Sequence, residues 1–521
     1  MDRLTGTTSL LPLTLNDEQV AGRPLTIPAL KAWTADTTPY HFSAQTRIIL
    51  DGRMTSQLYA TASVFVDDLL ALTELRPAIT IGGTLQPGDI FLTLETGDTT
   101  SQPEGYVLEI TPILTIRAQT ATGIFYGTRT VLQLLKHNLV IPGGTASDWP
   151  AYPERSLMVD MGRKHFSVEW LEQHIRELAY LKYNYFHFHL SDNYGFRLES
   201  ERHPEIVSPQ HYTKAEIRSL IELAHKYHIT VVPEIDMPGH MDTILAAHPE
   251  LQLTGLGGKR RGGDIDLAKE ESYQLMRDIL EEYIPLFPSP FWHIGADEYI
   301  MQDDYERYPQ LLAFAREHYG PDAVIKDTYL GFVNWANEIV KAHGKITRAW
   351  NDGLHGGSAV KLADDIIYEH WYRSGLDPQA IVDRNLYIMN SNADYLYYVL
   401  GNDNWRARPD GIYESFELHV FHGPLAIEAF HPRNLGAKLH VWCDNPVLET
   451  EEEVARGIAA PLRSLAQKSW GSLPLATSYA DFAGIIARIG HAPGVTSPQP
   501  VSEQTSVLHQ AESALAETEL V

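Results

Sequence analysis

The chain is short of cysteine, of positive charge and of long apolar runs, and each shortage removes a class of protein. Among 521 residues there is one cysteine, Cys443. A lone thiol forms no intramolecular disulfide and builds no multi-cysteine metal site; Cys443 reads as a buried structural thiol. Lys and Arg number 41 against 67 Asp and Glu, a net charge of −26. That balance argues against nucleic acid or an anionic membrane as partner, since both select basic surfaces, and suits a neutral or cationic substrate. No run approaches the roughly 20 apolar residues of a membrane span. Residues 1–15, with one Arg and a broken apolar pattern, make a poor secretory leader. The expected location is therefore cytoplasmic by default, or extracellular if a leader has been removed. No Gly-x-Gly-x-x-Gly follows a first strand, which weakens a doubly wound dinucleotide-binding sheet.

What is present is a globular composition, 44% hydrophobic and 21% charged. The length exceeds the about 250–300 residues at which a single core stops growing. Residues 1–150 read as a small α+β domain. Glu104-Gly105-Tyr106-Val107-Leu108-Glu109-Ile110 alternates at period two, residues 114–118 continue it, and the segment after Gly123 has helical spacing. A Pro/Gly-rich junction follows, ending in Asp148-Trp149-Pro150-Ala151-Tyr152-Pro153. From Arg155 onward strand, loop and helix alternate. Strands are expected at 157–160, 183–190, 229–234, 291–296, 346–350, 366–371, 386–390 and 438–442. Helices are expected at 168–181, 213–228, 270–286, 451–469 and 479–489, the second opened by a Thr213/Glu216 capping box. Eight strands alternating with helical or longer connections predict a (β/α)8 TIM barrel over residues 151–492, closed by C-terminal helices. Residues 493–521, rich in Pro, Ser, Gln and Glu, read as a mobile tail.

The chemistry gathers at the strand ends. Phe291-Trp292-His293-Ile294-Gly295-Ala296-Asp297-Glu298 is a short apolar strand that stops on two adjacent acids. A buried strand has no packing use for such a pair, whereas an acid–base site does. Beyond the other strands lie Asp160 and Arg163; His187, His189 and Asp192; Glu234, Asp236 and His240; Trp350 and Asp352; Trp371; Tyr395; Trp442 and Asp444. Acids, His, Arg and several Trp at one rim suit a sugar: indoles stack on pyranose faces and charged groups take hydroxyls. Adjacent acids cannot flank a glycosidic bond as a two-carboxylate pair does. They can divide the work, Glu298 protonating the leaving oxygen and Asp297 orienting a 2-acetamido group of the substrate, the substrate-assisted variant. His187 and His189 share one face of their strand, but no further residue completes a metal set with them and Asp192.

These motifs, in this order, resemble glycoside hydrolase family 20, the β-N-acetylhexosaminidases. The resemblance runs over most of residues 100–470, through Glu104-Gly105-Tyr106, Met158 to Arg163, His187 to Asp192, Pro233 to His240, His293 to Glu298 and Trp442-Cys443-Asp444. It implies Glu298 as general acid/base and Asp297 as the group holding the acetamido nitrogen and stabilising an oxazolinium intermediate. It implies Tyr395 as donor to the acetamido oxygen, with Trp350, Trp371 and Trp442 walling the acetyl pocket. Arg163 would grip ring hydroxyls beside Asp192, His240 and Asp444, with Asp236 and His189 in support. No metal and no organic cofactor are implied. The partner is an oligosaccharide or glycoconjugate ending in a β-linked N-acetylhexosamine; oligomeric state is not readable.

Two departures carry information. Common exo-acting members have Trp-x-Glu on the last strand, where this chain has Asp444, one methylene shorter. The acid pair follows Ala296 rather than Gly. Both features resemble the lacto-N-biosidase branch, which releases Gal-β1,3-GlcNAc; against it stands Arg163, which in exo enzymes clamps the 3- and 4-hydroxyls. The leading expectation is that disaccharide release. The alternatives are an ordinary exo-β-N-acetylhexosaminidase releasing single GlcNAc or GalNAc, a catalytically silent sugar-binding protein on the same scaffold, and a metal-dependent barrel hydrolase.

Overall fold

A computed structural model describes residues 22–95, 102–136, 138–300 and 305–495; most of the expected tail, and residues 1–15, lie outside them. The barrel expectation holds. Its strands are β1 (Glu154–Asp160), β2 (Tyr185–His189), β3 (Thr230–Met237), β4 (Phe291–Gly295), β5 (Ile346–Trp350), β6 (Ile367–His370), β7 (Ile388–Asn390) and β8 (Asn434–Trp442). All pair in parallel in sequence order, and β1 pairs with β8 to close the ring. Closure explains the nearly continuous apolar reading of these strands, which are covered by helices outside and by each other inside. The expected helices form at Val168–Tyr180, Lys214–Lys226, Glu270–Tyr283, Glu451–Trp470 and Tyr479–Ile489. Thr213 and Glu216 make the reciprocal capping box. No helix among the described residues is long and apolar enough to cross a membrane.

Before the barrel stands a seven-stranded mixed sheet between Ala32 and Asp148, carrying the helices Thr55–Thr73 and Ala121–Leu135. The sequence reading of residues 1–150 did not pick out the first helix. Its buried Leu58, Ala62, Phe65, Val66 and Leu69 recur at helical spacing. This sheet is fixed to the barrel by buried charge. Lys182, at the end of a barrel helix, donates to Asp148 Oδ2 at 2.9 Å, and Trp470 Nε1 donates to the other oxygen at 2.8 Å. Arg155 at the root of β1 pairs with Glu104 at 2.8 Å, which gives Glu104 a structural use. Breaking one partner of such a pair strands a buried charge, typically at about 3–5 kcal/mol.

The barrel interior is also charged at its base. Arg348 on β5 reaches Glu154 on β1 with two bonds of 2.9 and 3.1 Å, and Glu369 on β6 at 2.6 Å. Lys438 on β8 completes the cross-brace to Glu369. The upper interior and the strand ends are thereby held by residues from different strands.

Candidate active site

Beyond β4 the backbone takes an unusual path. Gly295, Ala296, Glu298 and Ile300 have φ of 71°, 73°, 49° and 48°. Gly295 is required, because a Cβ there would lie 1.7 Å from Asp236 Oδ1. Each non-glycine residue in such a region costs about 1–3 kcal/mol and persists only when its surroundings hold it. They do. Ala296 N–H donates to Met237 O at 3.1 Å, and its carbonyl accepts from Tyr329. Glu298 N–H donates to Asp352 Oδ2 at 2.9 Å, and Ile300 N–H to Asp264 Oδ2 at 3.1 Å. The turn brings both acids to one partner: His240 Nε2 lies 3.6 Å from Asp297 Oδ2 and 3.4 Å from Glu298 Oε2.

Behind His240 runs a chain of alternating charge. His240 Nδ1 faces Asp192 Oδ1 at 3.2 Å. Asp192 Oδ2 accepts from His189 Nε2 at 2.8 Å, and His189 Nδ1 donates to Glu234 at 2.6 Å. A histidine that donates from both nitrogens is an imidazolium. Burial opposes that charge, but Glu234 and Asp192 keep His189 protonated well above the usual range. Glu234 also accepts from Trp350 Nε1 at 2.8 Å, and His187 Nε2 lies 2.9 Å from it. Arg163 joins the network through Asp160 and Asp192, each at 3.0 Å, and lies over the Trp442 ring at 5.4 Å. Asp192 is 1% exposed and its oxygens are taken by these partners. It therefore supports Arg163 and His240 from behind.

The acids differ in their environments. Burial raises Asp297 to about 7 against the pull of His240, with Asp352 and Glu298 adding repulsion. Glu298, more open at the pocket, is lowered chiefly by its contact with His240. Burial and then Asp297 push Asp236 well above the carboxylate range. Asp352 is raised by burial even though it accepts from Glu298 N–H and from Trp371 Nε1, the latter at 3.1 Å. His240 is held protonated, burial notwithstanding, by Asp192 and Asp297. His189 donates from both nitrogens, and His187 Nδ1 accepts from Lys438 Nζ at 2.8 Å.

The aromatic wall is built from Trp350, Trp442, Tyr397 and the half-buried Trp371. Trp350 forms the floor at 1% exposure. Trp371 lies parallel to Tyr397, 8° between planes and 6.0 Å between centroids, and Tyr397 is 5.9 Å from Trp442. Tyr395 and Tyr397 are placed differently by the local chain. Asn392 caps a one-turn helix, Ala393–Leu396, accepting from Asp394 N–H at 2.9 Å. Tyr395 sits on that helix against Phe416, ring centroids 5.5 Å apart. The chain becomes extended only at Tyr397, in the short strand Tyr397–Val399 beside β8. Burial and the nearby Asp297 raise the Tyr397 hydroxyl well above its usual range. The cap pattern Asn392-x-Asp394 was the available signal. Asp352, seen in the sequence only as a strand-end acid, joins the turn bearing Glu298 to Trp371. Asp444 stands exposed at the mouth, raised by burial of its carboxyl despite the pull of Arg163.

An eight-stranded parallel barrel, two acids at the end of its fourth strand and an indole-walled pocket beside them define a barrel of the glycoside hydrolase type. The match to known families is direct. The family model "Glycosyl hydrolase family 20, catalytic domain" matches residues 152–445, and "Glycosyl hydrolase family 20, domain 2" matches residues 23–149. The chain belongs to glycoside hydrolase family 20. A lacto-N-biosidase of Bifidobacterium bifidum is 30% identical over 479 residues, 90% of this chain and 42% of that protein. A beta-hexosaminidase of Porphyromonas gingivalis is 28% identical over 471 residues, 84% of this chain and 59% of that protein. The chain thus spans about half the length of these curated relatives. In fold it is similar to an exo beta-N-acetylglucosaminidase of Vibrio harveyi, with a TM-score of 0.74 at 22% identity, covering 92% of this chain and 77% of that one.

Proposed function

We propose that this protein is a retaining, substrate-assisted glycosidase acting on β-linked N-acetylhexosaminides, and that it releases the disaccharide Gal-β1,3-GlcNAc from non-reducing ends. The observation that carries the reaction is the pairing of Asp297 and Glu298 on one histidine beside the box of Trp350, Trp371, Tyr397 and Trp442. The acetamido group enters the box. Asp297 accepts its N–H, Tyr397 donates to its carbonyl oxygen, and that oxygen attacks the anomeric carbon. Glu298 gives its proton to the departing glycosidic oxygen, leaving a bicyclic oxazolinium whose charge Asp297 balances. Glu298, now a carboxylate, takes a proton from water as the water attacks the same carbon. Two displacements at one carbon retain its configuration. A Tyr397→Phe variant is expected to lose about 10²-fold in kcat, the order found when one donor to a developing charge is removed, while Tyr395→Phe stays near wild type. Equal losses from both would return the role to the Tyr395 helix.

Two features support the disaccharide. Asp444 is one methylene shorter than the usual Glu and stands open at the mouth. Arg163, the residue that argued against a substituent on O3, is already engaged by Asp160, Asp192 and the Trp442 face, with 12% of its side chain exposed. The test is a side-by-side release assay on aryl β-GlcNAc and aryl Gal-β1,3-β-GlcNAc. Release from the disaccharide alone is expected, with Asp444→Glu shifting preference toward the monosaccharide. Release from the monosaccharide alone would make this an ordinary exo-hexosaminidase. Release from neither would favour a silent sugar binder.

A further inference from the structure

Away from the catalytic rim, the tripeptide His-Pro-Glu occurs twice, as His203-Pro204-Glu205 and His248-Pro249-Glu250. Each copy opens a single 3-10 turn, Pro204–Ile206 and Pro249–Leu251, with its histidine as the preceding cap residue. The cap backbones nearly coincide, at φ −130°, ψ 63° and φ −124°, ψ 60°. The fold brings the two copies face to face. Glu205 Oε1 lies 2.9 Å from His203 Nδ1 and 3.0 Å from His248 Nε2.

We propose that His203, Glu205 and His248 form a binding site for a divalent transition-metal cation of the Zn²⁺ type, separate from the catalytic centre. Two imidazoles and a carboxylate are the ligand types such an ion selects, and three protein ligands plus water is a common open coordination set. The three donor atoms already lie within 4.8 Å of one another. The remaining nitrogens also have acids nearby. His203 Nε2 faces Asp278 Oδ2 at 3.5 Å, and His248 Nδ1 faces Glu250 Oε1 at 3.4 Å. A carboxylate thus stands near the outer nitrogen of each histidine, where the outer-shell partner of a ligating imidazole is placed. Asp278 is itself placed by Gln274 and Arg202 on its other oxygen, at 3.0 and 3.3 Å. His203 is anchored by its backbone N–H on Ser200 Oγ at 2.9 Å, and Ser200 by Glu282 at 2.8 Å. All three ligands reach solvent, so an ion has a way in.

The position gives the ion a purpose. His203 lies on the loop that follows β2 and carries Asp192; His248 lies on the segment that follows β3 and carries His240. These loops meet at the Asp192–His240 contact and again where Thr243 Oγ1 donates to Asn193 O at 3.0 Å. A metal across His203, Glu205 and His248 clasps the same two loops at their far ends and holds His240 in register with the acids.

The full chain, stripped with chelator and dialysed, is titrated with Zn²⁺ by calorimetry, and its thermal unfolding is followed with and without the ion. One equivalent and a rise in Tm are expected in wild type, and neither in His203→Ala nor in His248→Ala. Cobalt(II) is expected to give an absorption spectrum of low coordination number that Zn²⁺ displaces, a reading that needs no variant to fold. Absence of binding by wild type, or one equivalent retained in the doubly substituted protein with unchanged circular dichroism, overturns the assignment.

Discussion

Replacing Glu298 with Gln will cut turnover of an N-acetylhexosaminide with a poor leaving group by about 10²–10⁴-fold, the usual contribution of a positioned acid–base group. The substitution keeps shape and removes the proton. It leaves the local fold alone, because the strained turn is held through main-chain groups, Glu298 N–H on Asp352 and Ile300 N–H on Asp264, not through the Glu298 carboxyl. The loss should depend on the leaving group. An acidic phenol departs without a proton, so on dinitrophenyl glycosides the first displacement recovers while the second, needing Glu298 as base, stays slow. Azide, which attacks without base assistance, should then restore turnover and give a β-glycosyl azide. The measurement is kcat across aryl glycosides of graded leaving-group acidity, with and without azide. Undiminished turnover on an alkyl glycoside would remove Glu298 from the acid role and the substrate-assisted reading with it.

The barrel was legible because its strands are buried on both faces and so read as short apolar runs, while their ends change abruptly to acids and indoles. The strand Phe291–Gly295 shows why: nothing about packing accounts for Asp297 and Glu298 after it. Individual side-chain roles were less legible, since they depend on contacts between distant segments. Asp192 looks like any rim acid until His189, Arg163 and His240 are seen to enclose it. Tyr395 and Tyr397 differ by two positions, and only the Asn392 cap, which coils the chain before it extends, decides which ring meets Trp371. The helix Thr55–Thr73 was hidden by its neighbours' strand-like alternation, not by any lack of its own periodicity. Strain at Ala296, Glu298 and Ile300 leaves no mark in composition at all; an alanine with φ of 73° is intelligible only beside Met237, Tyr329 and the acids the turn must present.

Asp297→Asn should lower kcat/KM by about 10²–10³-fold, the scale of removing one preorganised electrostatic partner of a developing charge, and it should do so while making the protein more resistant to heat. The two effects have one origin. Asp297 is raised to about 7 because burial penalises its anion, yet the anion is the form that balances an oxazolinium. A group whose folded pKa lies above its unfolded value stabilises the fold below the unfolded value and loses that contribution as pH rises through the folded one. Wild type should therefore weaken between about pH 4 and 7 by more than the Asn variant, which lacks this carboxyl but keeps the raised Asp236 and Asp352, so their Tm values should diverge toward and above pH 7. Activity follows the same proton. Asp297 and Glu298 together carry one proton between the lowered Glu298 value and about 7, and as an interacting pair they titrate jointly. The productive arrangement, proton on Glu298 and charge on Asp297, belongs to that singly protonated state, so kcat/KM should be bell-shaped with its alkaline limb near 7. In the Asn variant the only proton left is that of Glu298, which His240 holds low, and the residual rate should already be falling at acidic pH. A variant that lost activity but kept the limb near 7 would show that some other group governs it, and Asp297 would then be a structural acid.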